Sequence, residues 1–518
     1  MSVLSEKLFQ EILLARQRVY EVGKPTPLQK LNLRDIPAAV YAKREDLGPI
    51  KAYKWRGAYN CMAALTPEQR AGGVVAASAG NHAQGVALAA RHLNCKARIF
   101  MPLSTPEVKQ REVRRHGGDH VEIVLHGDSY DAASAAAHAY ARQNHLTFVH
   151  PYDDLVTMGG QGTLADEVVM SGEGPFDRVY VQIGGGGMAA ATACWIKKFW
   201  PQAKVIGVEG VDQASMKLAI EKGERTSLEY VDVFCDGTAV RTAGENTFPL
   251  CRELIDEFVT VTNDEVCHAM RAMWDSSRVV PEASGAMGLA AFMQQWQHGE
   301  IGEKEKCLVI ISGANMDFSQ MGLVARMAGI DGCETRYLRI PMETKRGQIL
   351  KYLRSVPEGA TIVDVQYGRV AGEIQYPVFG VAGTQSDFEI IEQRLAEKGL
   401  KAEDVSNDED VRFRMIHYDA ERLSHPVFVQ IEFSERPGAF LDFMAAIGDL
   451  ASLCYFNYVY SGERVGRALM GMEFESREDR DICRARADKL AGTVIQGIHE
   501  VSPAARKRIL DTMSPSSC

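Results

Sequence analysis

The sequence predicts an α/β protein whose doubly wound parallel sheets form two subdomains, followed by a tandem pair of smaller α+β units. Three observations carry this expectation. From about residue 35 to 320, short β-branched runs alternate with Ala-rich helical stretches; beyond about residue 330 the period changes; and a βαββαβ pattern, as in ferredoxin-like folds, then occurs twice.

The apolar runs are Gly73–Ala77, Ala97–Met101, Arg178–Ile183, Lys204–Val208 and Cys307–Ile311. A strand that is apolar on both faces is covered on both, as in a parallel sheet flanked by helices. Ligands of such sheets gather at the carboxyl ends of the strands. Ser78, Gly184 and Ser312 each follow one of these runs, so three remote segments are expected to meet at one crevice.

In the C-terminal part, Tyr337–Ile340 leads through a turn at Gly347 into Gln348–Leu353. Two strand-like runs and a helix over Asp387–Lys398 complete the first copy. The second copy starts at Val427–Ile431, passes Pro437-Gly438 into Ala439–Met444, and ends with strands around Tyr455 and Leu469 and a helix near residues 477 to 490. The expected division is 1–330, 331–420 and 421–518.

A chain of 518 residues exceeds one ordinary core, and 46% hydrophobic with 24% charged residues describes a soluble globular protein. A formal charge of −10 provides no basic field for nucleic acid. Eleven cysteines without metal-ligand spacing read as reduced thiols, and no metal site is expected. Glu6, Glu11 and Arg16 interrupt the N-terminal apolar residues, and no run reaches the roughly 18 needed to span a bilayer. The expectation is a cytoplasmic protein.

Four segments carry chemistry. Lys51-Ala52-Tyr53-Lys54-Trp55-Arg56-Gly57-Ala58-Tyr59 offers an amine that can condense with a carbonyl. Ser78-Ala79-Gly80-Asn81-His82-Ala83-Gln84-Gly85 is a small-residue loop leading into a helix, suited to present N–H groups to an anion. Gly184, Gly185, Gly186 and Gly187 follow a strand and open a helix over Met188–Lys197, where backbone can approach a phosphate. Ser312-Gly313-Ala314-Asn315 closes the last strand of the region. Asn81 and His82 also suit plain helix capping, and Ser312 a strand-end turn.

Together these segments resemble the pyridoxal-phosphate fold of the tryptophan synthase β type, called fold type II, and within it the biosynthetic threonine dehydratases, along nearly the whole chain. The resemblance implies that Lys54 is the Schiff-base lysine and the base that removes the α-proton. It implies that Asn81 donates to the ring oxygen of pyridoxal 5'-phosphate, that Gly184 to Gly187 and Met188 hold the phosphate, and that Ser312 faces the pyridine nitrogen. Ser78, Ala79, Gly80, Asn81 and His82 would receive the substrate carboxylate. Pro281-Glu282-Ala283-Ser284-Gly285-Ala286 matches a segment near the ring, with Ala283 where proline is usual; Gly160-Gln161-Gly162-Thr163 matches a packing element beside the site. The implied reaction is deamination of L-threonine to 2-oxobutyrate, the first step of isoleucine biosynthesis, with L-serine, 3-hydroxyaspartate or another β-substituted amino acid as alternative substrates.

The C-terminal copies resemble the tandem ACT-like regulatory domains of that family. The implied partners are isoleucine as inhibitor, valine as opposing activator, and further copies of the chain in a tetramer. Tyr367 and Tyr458 occupy matching places in the two copies and are the candidate effector contacts.

Two rival readings remain at this level. Gly185, Gly187 and Ala190 also satisfy a dinucleotide fingerprint, with Glu209 where an acid would meet the ribose, so that segment alone fits a nicotinamide-dependent dehydrogenase. That reading leaves Lys54, Asn81 and Ser312 without a task. A non-catalytic amino-acid sensor would ignore the same set. Lys51, Ala52, Tyr53 and Trp55 depart from the family pattern around the lysine and are the expected marks of any altered substrate.

Overall fold

In the computed structural model the chain divides into two compact units, Met1–Ala328 and Gly329–Cys518. The structure describes residues 2–503 except 35, 104, 128–129, 329–333, 344–347, 371, 407, 409–410, 412–415, 417–425, 435–438, 460–464 and 491–493. The expected turns at Gly347 and Pro437-Gly438, and the expected boundaries near 331 and 420, lie outside the described residues.

The N-terminal unit holds two sheets. The larger has the strand order Leu28–Leu31, Ala39–Arg44, Lys306–Ile311, Arg178–Gln182, Lys204–Gly210 and Glu257–Val261. All its pairings are parallel except that of the edge strand Leu28–Leu31. The smaller sheet is parallel throughout, in the order Val121–Leu125, Ala97–Met101, Val74–Ala77 and Thr147–Phe148. Val74–Ala77 is buried at every position, as its unbroken apolar run predicts.

Three helices, Lys54–Ala63, Asn81–His92 and Leu155–Met170, pack closely because glycines remove the side chains between them. A Cβ on Gly85 would stand 3.1 Å from the Lys54 carbonyl oxygen, and one on Gly160 would stand 2.3 Å from that of Arg56. This packing brings the start of the Asn81 helix beside Lys54.

In the C-terminal unit both copies run strand, helix, strand, strand, helix, strand, and their principal strands form one eight-stranded sheet. Its order is Glu403–Asp404, Glu334–Arg339, Val378–Gly383, Thr361–Gly368, Ala451–Val459, Val465–Phe474, Val427–Ser434 and Ile495–Glu500. The copies join where Thr361–Gly368 runs antiparallel to Ala451–Val459, with Tyr367 opposite Phe456 and Val365 opposite Tyr458. One apolar core containing Phe379, Phe388, Phe443 and Phe456 runs through both copies. Among the described residues no helix is long and apolar enough to cross a membrane.

Candidate active site

Lys54 is the first residue of its helix, and backbone contacts fix that position from the opposite sheet. The N–H of Tyr53 donates to the Ser312 carbonyl at 2.9 Å, that of Ala314 to the Lys51 carbonyl at 2.9 Å, and Ala52 bridges Gly313. The Lys54 amine donates to the Pro151 carbonyl at 3.0 Å. Burial pushes this amine down to about 8, against a smaller upward pull from Glu282. A lysine in this condition is partly neutral near physiological pH and can act as nucleophile or base.

Gln161 donates to the same Pro151 oxygen at 3.0 Å, and its own Oε1 lies 2.7 Å from where a Cβ on Gly187 would stand. Lys54 and the glycine run therefore share one crevice. Gly186 has a φ of 94°, which only glycine adopts freely, and it precedes the helix Gly187–Phe199, whose first turn has no side-chain cap. A Cβ on Gly185 would fall 2.2 Å from the Tyr152 ring. Uncapped N–H groups on a glycine-rich helix terminus suit a phosphate, and a nearby amine suits an aldehyde. The residues present thus fit pyridoxal phosphate. Met188 is buried as the second residue of the helix.

Ser78 follows the strand Val74–Ala77, but its N–H is taken up by the Phe100 carbonyl at 3.1 Å, and the Gly80 N–H bonds the Ser78 hydroxyl at 3.2 Å. Among the described residues, the N–H groups of Ala79, Asn81 and His82 stay open, because the Gly80 cap of the Asn81–His92 helix provides no side chain. The Asn81 side chain does not cap this helix. Its Nδ2 donates to Glu282 Oε1 at 2.8 Å and its Oδ1 accepts from Asn315 Nδ2 at 2.7 Å. The His82 ring turns into the core, with Nε2 2.9 Å from the Val149 carbonyl, and burial pushes its pKa down to about 3. Ser312 is buried at the carboxyl end of Lys306–Ile311.

The fingerprint acid of the dinucleotide reading is otherwise engaged. Glu209 accepts from the Met216 and Lys217 N–H groups at 2.9 and 2.8 Å, fastening the helix Ser215–Lys222, and is buried there. Of the departures around the lysine, Trp55 is fully buried away from the crevice, filling space vacated at Gly23 and Gly48. Lys51 is exposed with a φ of 59°. Ala52 stands against Gly313, and the Tyr53 ring lies 5.2 Å from the Lys54 amine.

The model of the family "Pyridoxal-phosphate dependent enzyme" matches residues 19–313, and that of the "C-terminal regulatory domain of Threonine dehydratase" matches residues 421–500. The biosynthetic L-threonine dehydratase IlvA of Haemophilus influenzae is 38% identical over 90% of this chain and 90% of its own length. The chain belongs to the pyridoxal-phosphate-dependent threonine dehydratase family. The corresponding protein of Escherichia coli K12 is 37% identical over 89% of this chain and 90% of its own. Among solved structures, threonine deaminase isoform 2 from Solanum lycopersicum aligns with a TM-score of 0.59 at 40% identity, covering 63% of this chain and 94% of that one.

The regulatory unit of this threonine dehydratase family member contains a small pocket, partly open to solvent. Met342, Glu343, Tyr367 and Arg369 of the first copy line it with Met444 and Leu453 of the second. Arg369 pairs with Glu473 and donates to the Leu453 carbonyl at 3.3 Å. Tyr458 does not line this pocket; its ring packs with Phe433 and Phe456 in the core.

Sequence reasoning also missed a buried charge quartet behind the lysine. Arg56 joins Glu45 at 2.7 Å and Glu167 at 2.6 Å, and Lys43 joins Glu167 at 2.5 Å, with all four side chains nearly or fully buried. Although burial opposes it, Arg56 and Lys43 hold the Glu167 carboxyl below its usual range. The run Lys43-Arg44-Glu45-Asp46 carries the signal, but consecutive charges ordinarily mark a solvated surface.

Proposed function

We propose that this enzyme converts L-threonine to 2-oxobutyrate and ammonia, with the site residues in the roles described below. The observation carrying this reading is the Lys54 amine, pushed down to about 8 and set beside the uncapped glycine terminus in a chain of this family. When bound, pyridoxal 5'-phosphate supplies a carbonyl for the substrate amine and an electron-withdrawing ring that acidifies the α-carbon.

Gly184 to Gly187 and Met188 hold the phosphate with backbone N–H groups. Ser312 would offer a neutral hydroxyl to the ring nitrogen, and Asn81 an amide hydrogen to the ring oxygen. The open N–H groups of Ala79, Asn81 and His82 receive the substrate carboxylate, which fixes the α-carbon toward Lys54. Ser78 and Gly80 shape that loop. Lys54 takes the α-proton on Nζ, the β-hydroxyl takes up a proton and leaves as water, and the released enamine tautomerises to an imine whose hydrolysis consumes a water and frees ammonia.

The reading extends to regulation. Isoleucine as inhibitor, opposed by valine, binds the pocket between the copies, where Met342, Met444 and Leu453 suit a branched side chain and Arg369 and Glu343 suit the charged ends of an amino acid. The regulatory-domain match supports this reading, as does Tyr367, which lines the pocket where Tyr458 does not. The assembly is a homotetramer in the cytosol, where the free, buried cysteines among the described residues stay reduced.

The test is the initial rate of 2-oxobutyrate formation from L-threonine by the purified yellow protein, with L-serine as comparison. A threonine rate above the serine rate is expected. A yellow protein that turns over only serine or 3-hydroxyaspartate would transfer the assignment to that substrate and single out Tyr53.

A further inference from the structure

A chain of side-chain amides runs along the candidate site, and its direction is fixed at one end. Asn315 Nδ2 donates to the Ile50 carbonyl at 2.7 Å and to Asn81 Oδ1 at 2.7 Å, so both of its hydrogens are used. A backbone carbonyl can only accept, so the Asn315 amide has one orientation, and Asn81 must turn its oxygen toward Asn315. Its nitrogen then faces Glu282, at 2.8 Å from Oε1 and 3.2 Å from Oε2. Glu282 Oε2 also accepts the Asn315 backbone N–H at 3.2 Å. The second hydrogen of Asn81 Nδ2 is left for a ligand.

Glu282 is buried and, among the described residues, makes no ion pair within bonding range. Its backbone N–H bonds the Gly313 carbonyl at 3.0 Å, and a Cβ on Gly313 would stand 2.5 Å from Oε1, so glycine there makes room for the carboxylate. A buried carboxylate without a cation is costly unless its acceptor capacity is needed. Here two donors need it.

We propose that Glu282 is a positioning residue, the terminal acceptor of an Ile50–Asn315–Asn81–Glu282 relay that holds one Asn81 N–H toward an oxygen of the bound cofactor. This rests on pyridoxal phosphate occupying the crevice. The relay ties the segment before Lys54 to the segment after Ser312, so it sets the spacing of both as well as the direction of the Asn81 dipole. Burial, and next the charge of Asp236, push the Glu282 carboxyl up to about 7, against smaller downward pulls from its Asn81 and Asn315 hydrogen bonds and from Lys109.

The experiment titrates full-length apoprotein with pyridoxal 5'-phosphate, following visible absorbance, and records thermal melting. Glu282→Gln has nearly the same shape but exchanges one acceptor for a donor, so either Asn81 Nδ2 or the Asn315 N–H meets another donor. Cofactor binding is expected to weaken by about tenfold to a hundredfold, with a shifted absorption maximum. The paired exchange Asn81→Asp with Glu282→Gln satisfies every internal partner again, because the new glutamine amide donates to the new carboxylate and accepts from Asn315. It presents an acceptor, however, where the cofactor needs a donor. Melting is therefore expected to recover while affinity and absorption do not.

Recovery of all three together, or a Glu282→Gln variant within about twofold of the parent in affinity with an unshifted spectrum, would overturn the relay. If Glu282→Gln alone does not fold, the paired exchange provides the comparison. A parent protein that binds no pyridoxal phosphate defeats the functional reading and the relay together, whereas a parent that binds with unaffected variants defeats the relay alone.

Discussion

In the N-terminal unit the candidate site is made largely of main chain: strand ends, an uncapped helix terminus at Gly187, and carbonyls at Pro151 and Ile50. In the C-terminal unit the pocket is made largely of side chains drawn from two copies of one fold, such as Met342 from the first and Met444 from the second. Main-chain donors are placed by secondary structure, and the residues that permit them to act are glycines and small polar groups at fixed positions along the chain. A pocket between copies depends on how two surfaces meet. The first kind of site is written in short motifs, and the second is not.

The sharpest way to break this contrast is at Lys54. Lys54→Ala is expected to lower 2-oxobutyrate formation more than about a thousandfold and to abolish the visible absorption of bound cofactor, both read on purified protein. Retained turnover would remove the lysine from the centre of the site.

Next in size is the charge quartet. Removing one member of a buried, mutually bonded set leaves its partners uncompensated, so Arg56→Met should cost about 3–5 kcal/mol in urea unfolding of the N-terminal unit. Arg369→Met, at a partly exposed pair in the C-terminal unit, should cost only about 1–3 kcal/mol. Equal losses would show that the two units rely on buried charge to the same degree.

The Lys54 amine gives a pH test. With its pKa lowered from 10.5 to about 8, the neutral nucleophile predominates above that pH, and protonation removes it below. Cofactor capture by apoprotein should fall roughly tenfold per unit as pH drops below about 8. A limb centred near the ordinary lysine value would contradict the burial argument.

The smallest effects separate the two tyrosines. Tyr367→Ala should raise the isoleucine concentration for half-inhibition about tenfold with uninhibited turnover unchanged, whereas Tyr458→Phe should shift it by less than about twofold. The reverse ranking would move the effector contact out of the pocket and into the core.

Much of the fold was legible because its signals are local. The apolar runs at Ala97–Met101 and Lys204–Val208 became interior parallel strands, paired on both sides, and the repeated βαββαβ order stands in both C-terminal copies. At the site, resemblance and spacing singled out Lys54, the tetraglycine and Ser312. They did not reveal that the Ser78 N–H belongs to the sheet, that His82 turns inward, or that Trp55 packs between Gly23 and Gly48. Each of those outcomes depends on what lies across from the residue rather than beside it in sequence. The same holds for Glu282, which reads as part of a segment near the ring until Asn81 and Asn315 are seen to converge on it.

The joint between the two C-terminal copies has a further consequence. A lone βαββαβ unit would expose Thr361–Gly368 or Ala451–Val459 as a row of unpaired main-chain groups, a template open to recruitment by any extended peptide. By binding one to the other, the duplicated halves hide each other's adhesive border within a single chain. One outer border that remains ends in the two-residue, exposed, acidic strand Glu403–Asp404, too short and too charged to seed growth. Duplication here acts as protection against aggregation, and a chain carrying only one copy would present the sticky margin that its twin now conceals.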